Sequence, residues 1–378
     1  MWNLGPEADR PEWKVVETPF DAGLTQVVAT QEGPYAVGES GVIVANRGDG
    51  WEVIIEDGPN ARQNALNGIS VTDDGKRLWF LGSSGAIGMY DVVQQRKYDY
   101  SYPNEMTSTW EGITVSGEAG SEKLLAANGS GEVLPFYIDG YDVDWGIVRK
   151  PAQKASKIAA LASTPDGYGY CIDTSGNAFK TTREEGWNDI GVVNAQVKFY
   201  DIYAGSEHKV YIAAGDGRVY RYDDSYHDWT PLGVGERSLR SIDIYRGDDG
   251  TEQMVVVGNS GDIYQRSGKE RWEKLHSPTS KDLFSLALGD PDVAVGSGGV
   301  VIQRPRGETR QSGKSPDGDN YDGTGEAFDG DDNDPGENTS SDGSTGGTSG
   351  GSTDGTSGGS TGDSTDSTSD GSTSDTQN

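Results

Sequence analysis

Residues 35–44 read YAVGESGVIV, and the chain repeats that plan six more times: LWFLGSSGAIG at 78–88, LLAANGSGEVL at 124–134, GYCIDTSGNAF at 169–179, YIAAGDGRVY at 211–220, VVVGNSGDIY at 255–264 and VAVGSGGVVI at 293–302. Each copy is a short apolar strand, a tight turn ending in glycine, and a second apolar strand. The turn glycines are Gly41, Gly85, Gly131, Gly176, Gly217, Gly261 and Gly299, separated by 44, 46, 45, 41, 44 and 38 residues. Glycine suits a turn position that needs positive φ, so the recurrence points to a hairpin in every repeat.

Two further registers give the same count. Windows starting at 24, 66, 110, 156, 197, 239 and 283 read LTQVVA, LNGISV, WEGITV, SKIAAL, VKFYDI, LRSIDI and LFSLAL, and predict a strand upstream of each hairpin. Downstream, Trp51, Trp145, Trp187, Trp229 and Trp272 each open a further strand, with Tyr98 and Tyr100 standing in for tryptophan in the second unit. Four short strands per unit of roughly 43 residues, with no helical period, predict an all-β fold: a seven-bladed β-propeller over 12–304. The seventh unit lacks a strand after Gly299, while Trp13 in WKVVETP has one to spare, so the N-terminal strand is expected to complete the last blade and close the ring. The recurring tryptophans are expected to wedge between blades. Residues 1–11 form a short extension.

The turn-and-tryptophan pattern, as in VGESGVIVANRGDGWEVI and CIDTSGNAFKTTREEGWNDI, resembles the BNR-like propellers, including the photosystem II stability and assembly factor family. The Asp-box of that superfamily, approximately Ser-x-Asp-x-Gly-x-Thr-Trp, survives only as NRGDGW at Asn46 to Trp51 and TTREEGW at Thr181 to Trp187. The repeat also resembles WD40- and YVTN-like units, and the layout is similar to a haloarchaeal group of propellers. The resemblance implies the architecture, and the haloarchaeal group implies no known activity.

Composition bounds the function. The 378 residues carry 31 Lys and Arg against 61 Asp and Glu, a net charge of −30, which excludes a surface-wide nucleic-acid groove. From 305 onward a Ser/Thr/Gly/Asp tract takes over, with 16 acidic and 3 basic residues and only Tyr321, Ala327 and Phe328 as apolar side chains. Nothing there could build a core, and 305–378 is expected to be a disordered tail. Residues 1–304 still carry 45 acids and 28 bases, a net −17, so the acidity is not confined to the tail. Carboxylate excess of this kind suits a protein kept soluble in high salt, and a surface built for a basic partner is the alternative reading. No apolar run reaches the roughly 20 residues of a membrane span, and the start MWNLGPEADRPEW lacks a basic and apolar leader, so a cytoplasmic monomer is expected.

Chemistry-bearing motifs are few. Cys171 sits alone in an apolar strand and reads as a buried hydrophobe. His208, His227 and His276 have no metal-ligand spacing, and no metal, cofactor or catalytic residue is expected. Asp329 to Glu337, DGDDNDPGE, has Asp334 where a calcium loop would need glycine. Asn128-Gly-Ser and Asn338-Thr-Ser match the glycosylation acceptor pattern. Propeller ligands bind where inner strands converge at one mouth of the channel. The second window position reads Thr25, Asn67, Glu111, Lys157, Lys198, Arg240 and Phe284, so Lys157, Lys198 and Arg240 are expected to form a cationic arc, with Asn67, Glu111 and Trp110 beside it. Lys154, Arg237 and Lys281 fall in the same class of loop. Pairing of these cations with Asp201, Asp243, Asp282 or Glu236 is the competing expectation. The function that follows is a non-catalytic platform holding a protein partner on one propeller face. The alternatives are a carbohydrate- or anion-binding propeller, whether lectin-like or a sialidase-like hydrolase, and a virion or cell-surface display protein with the tail as spacer.

Overall fold

The computed structural model describes residues 11–306 apart from 183–185, 193–195, 248–249 and 269. The chain divides into two units, Met1–Asn320 and Tyr321–Asn378, and all described residues lie in the first. The expected tail from 307 onward, with Asp329 to Glu337 and Asn338, lies outside the described residues.

Within them the strands form seven four-stranded antiparallel sheets. The inner strands are Leu24–Thr30, Leu66–Val71, Trp110–Ser116, Ile158–Ser163, Phe199–Ser206, Leu239–Arg246 and Leu283–Ala287. Six blades run in sequence order from inner to outer strand. The seventh is completed at its outer edge by Lys14–Val15, which pairs antiparallel with Val301–Arg304. The predicted seven-bladed propeller and its closure by the N-terminal strand are therefore what forms.

All seven turn glycines have φ between +68° and +87°. The turn also packs tightly: a Cβ on Gly261 would lie 2.0 Å from the Thr279 carbonyl oxygen, so both backbone angle and space demand glycine there. The tryptophans pack as wedges. Trp51 of blade one lies with Val293 and Val295 of blade seven, Trp229 of blade five with Ile172 and Ala178 of blade four, and Trp13 of the closing strand with Val255 and Ile263 of blade six. Each such indole removes about 150–250 Å² from water, worth about 4–6 kcal/mol before entropy, and ties one blade to the one before it.

One buried cluster fastens the closure. The Arg304 guanidinium donates from Nε and Nη2 to Asp292 Oδ2 at 3.0 and 2.7 Å and from Nη1 to Gln265 Oε1 of blade six at 2.7 Å, and it lies 4.9 Å from the Trp13 ring centre. One side chain thus touches the N-terminal strand, the last blade and its neighbour. Packing continues past the expected boundary at 304: Arg306 also pairs with the fully buried Asp292 and lies over the Tyr245 ring.

Candidate functional site at the channel mouth

Every inner strand carries a β-bulge one residue in from its start. The first residue is a large apolar anchor (Leu24, Leu66, Trp110, Ile158, Phe199, Leu239 or Leu283), no more than 1% exposed, and the pairing register skips between it and the third residue. A bulge re-aims the extra side chain. Because antiparallel pairing sets the start of each inner strand beside the end of the second, the bulges and the glycine turns share one mouth of the channel.

That register corrects the expected arc. The seven bulge residues are Thr25, Asn67, Glu111, Ala159, Tyr200, Arg240 and Phe284. Lys157 and Lys198 are not equivalent to Arg240; each lies one residue before its anchor, because the windows SKIAAL and VKFYDI were placed two residues early. Lys157 does not join an open cationic arc either: its Nζ lies 2.8 Å from Glu111 Oε1 of the preceding blade. Asn67 donates from Nδ2 to the Trp110 carbonyl at 2.9 Å, and Thr25 Oγ1 donates to the Leu66 carbonyl at 2.8 Å, so both side chains couple adjacent blades. Trp110 is an anchor, 0% exposed and packed against Trp79 and Phe136, so its indole does not reach the mouth.

The remaining two cations converge. Lys198 Nζ lies 4.7 Å and the Arg240 guanidinium 4.1 Å from the centre of the Tyr200 ring, and Arg240 Nε donates to Asn259 Oδ1 at 2.7 Å. Among the described residues neither cation has a carboxylate partner. The other loop cations are engaged: Lys154 with Asp189, Arg237 with Asp262, and Lys281 with the Gly298 carbonyl. Tyr200 lines a groove of about 530 Å³ together with Lys198, Gly215, Arg218, Tyr220 and Ser238. Its far wall is organised by Asp216, whose Oδ2 accepts from Arg218 Nη1 at 2.7 Å and from Tyr220 OH at 2.8 Å. On the near wall Ser238 Oγ donates to the Gly215 carbonyl at 3.0 Å, joining blades five and six. A Cβ at Gly215 would sit 3.3 Å from the Tyr200 ring, so glycine lets the ring lie against the backbone.

Sequence reasoning missed Tyr200, Arg218 and Tyr220. The available signal was the anchor: aligning on Ile158 and Phe199 as the first large buried residues would have placed Tyr200 at the bulge.

Deeper in the channel, Asp201 and Asp243 do not pair with the arc cations. Asp201 Oδ2 accepts from Ser241 Oγ at 2.7 Å and from the Ile242 amide at 3.0 Å; Asp243 Oδ2 accepts from the Leu288 amide at 2.8 Å. Gln26, Ser241 and Ser285 likewise accept from the amides of Ile69, Leu286 and Val27 in the next blade. The result is a run of side-chain to backbone bonds from blade five through six and seven to blades one and two, which satisfies amides on those inner edges. Burial pushes both carboxyls up, Asp243 to about 7, with the like charge of Asp201 adding to the effect. These acids hold blades together.

The other motifs are quiet. Cys171 is fully buried, and burial raises its thiol pKa well above the ordinary value. The three histidines are exposed near turns or the outer strands. Asn128 is 1% exposed, with Oδ1 accepting from Ser130 and Glu132 amides, so it offers no glycan acceptor. Among the described residues no group of three His, Cys, Asp or Glu side chains is placed to hold a metal ion, and no helix is long and apolar enough to cross a membrane.

No family model matches the chain, and no curated protein does. Solved structures do. YCF48 bound to D1 peptide is 13% identical with a TM-score of 0.62, covering 79% of this chain and 98% of that one. The WD40 repeats of RRP9 are 16% identical with a TM-score of 0.64, covering 79% and 99%. Virginiamycin B lyase from Staphylococcus aureus is 13% identical with a TM-score of 0.64, covering 78% and 100%. At such identities the common property is the fold, and the seven sheets with their N-terminal closure make this chain a seven-bladed β-propeller.

Proposed function

We propose that this chain is a non-catalytic interaction or assembly platform, adapted to a high-salt cytoplasm, which holds a protein partner on the mouth face of the propeller. The observation that carries the reading is that two cations without a carboxylate partner among the described residues, Lys198 and Arg240, lie against one ring at the channel mouth of a chain of net charge −30. Two such cations gathered at one ring give a negatively charged group of a partner a place to bind. The likeness to a propeller solved with a bound peptide supports the same use of the fold. The channel carboxylates favour a platform over a hydrolase, since each is spent on backbone amides of a neighbouring blade.

The test is capture of the tagged full chain from its host cells in molar KCl, followed by identification of the partner and reconstitution from purified components. Hydrogen exchange of the complex should then show protection at the glycine turns and inner-strand starts. A footprint confined to the opposite end of the channel, or a chain that recovers no macromolecule, would overturn the reading.

A further inference from the structure

The Tyr200 groove has a chemistry more specific than a generic docking face. Two cations share one aromatic plate, at 4.7 and 4.1 Å from its centre. The ring attracts each of them, they repel one another, and neither has a carboxylate partner among the described residues. An anion bound beside them relieves the repulsion. The geometry also selects the kind of anion. Arg240 is held through Nε by Asn259, which leaves the terminal nitrogens of a planar fork to meet a carboxylate. Tyr200 and Tyr220 line the groove with aromatic side chains, against which a chain running across it can pack. Within the groove Asp216 pairs with Arg218, which leaves Lys198 as the lining cation without a carboxylate among the described residues, while Arg240 lies against the same Tyr200 ring.

Salt sharpens the argument. At molar ionic strength the Debye length is about 3 Å, so long-range attraction is screened away and only contact pairs discriminate. A protein working in such a medium recognises charge through direct, oriented contacts, which is what a cation pair fixed against a ring provides.

We propose that Lys198, Tyr200 and Arg240 form a carboxylate subsite that takes a single Asp or Glu side chain from an extended segment of a partner protein lying across the groove. This rests on the platform reading, and names the chemistry by which the partner is held. The probes are Ac-Ala-Glu-Ala-NH2, Ac-Ala-Gln-Ala-NH2 and acetate, titrated into the full chain in molar KCl with binding followed by NMR. The glutamate peptide should bind, and the glutamine peptide should bind about tenfold or more weaker. Lys198→Met with Arg240→Gln should remove that preference at an unchanged thermal midpoint; Lys198→Arg alone should keep most of it. Equal binding of both peptides, or a preference that survives the double variant, overturns the subsite. Acetate saturating as tightly as the glutamate peptide overturns the partner segment in favour of a free small carboxylate. A captured partner retained by the double variant sinks the subsite and leaves the platform standing; a glutamate preference with no partner recovered does the reverse.

Discussion

Replacing Asp243 with asparagine should give a variant that gains on the parent as the pH rises. The carboxyl lines the channel, walled by neighbouring blades, and burial lifts it to about 7 from an ordinary value of about 3.9. Between those two values the folded protein keeps a proton that the unfolded chain has released. Stability from this group is therefore fully present below about pH 4 and is lost as the pH climbs through about 7. A displacement of about three pH units corresponds to about 4 kcal/mol. Asparagine never ionises, so it escapes that loss, but its single oxygen can serve only one of the two amides, Ile244 and Leu288, that now donate to the carboxylate. The lost bond costs about 1 kcal/mol. The variant should thus be near parity with the parent at about pH 4–5 and more stable by about 3 kcal/mol at about pH 9. Asp201, whose carboxyl is also raised, stays in both proteins, and removing its charged neighbour only eases it. Urea unfolding in molar KCl across that range measures the difference. Parallel stability curves for the two proteins, or a variant that loses at alkaline pH, would refute the account of the channel acids.

Other consequences are quickly checked. Arg304→Met leaves Asp292 buried with one cation and should lower stability by about 3–5 kcal/mol in urea unfolding, with Trp13 fluorescence changing first. Ser285→Ala strips the Val27 amide of its acceptor at the junction of blades seven and one and should cost about 1–3 kcal/mol by the same assay. Gly261→Ala forces a Cβ into the Thr279 carbonyl at positive φ and should drop the thermal midpoint far more than Gly250→Ala, whose Cβ meets open space at a similar φ. Cys171 should resist a thiol reagent until urea unfolds the chain, because the thiol is buried and its thiolate disfavoured. Transfer from molar to millimolar KCl should lower the thermal midpoint through self-repulsion of the acidic chain; a salt-independent midpoint would remove the high-salt reading.

The fold was legible because its demands fall on residue types that leave a mark. Positive φ at seven turns requires glycine, and the wedge between blades requires a large aromatic, so both recur in the sequence at blade spacing. The mouth was less legible for a geometric reason. A strand pattern has period two, so sliding a window by two residues keeps every side chain on its expected face. The windows SKIAAL and VKFYDI fit the alternation as well as their true registers do, and only the size of the buried anchors Ile158 and Phe199 tells the two apart. The bulge hides the rest. It turns Glu111 toward the mouth while its neighbour Trp110 points into the core, which a regular alternation would not separate from an ordinary strand start. Tyr200 went unnoticed for the same reason, and so did its pairing with Lys198 and Arg240.

The closure by Lys14–Val15 sets the order in which this protein can be finished. During synthesis the propeller strand made first, Lys14–Val15, is among the last to find its place, because its partner, Val301–Arg304, is made nearly three hundred residues later. Blades one to six can form hairpin by hairpin as they emerge, but the ring stays an open arc with two raw edges until the final blade is complete. The buried Arg304 cluster then joins the first and last strands of the propeller in one step. Once closed, the molecule has no terminal blade from which unfolding can begin by fraying, so its lifetime should be governed by the rate of opening at that single seam.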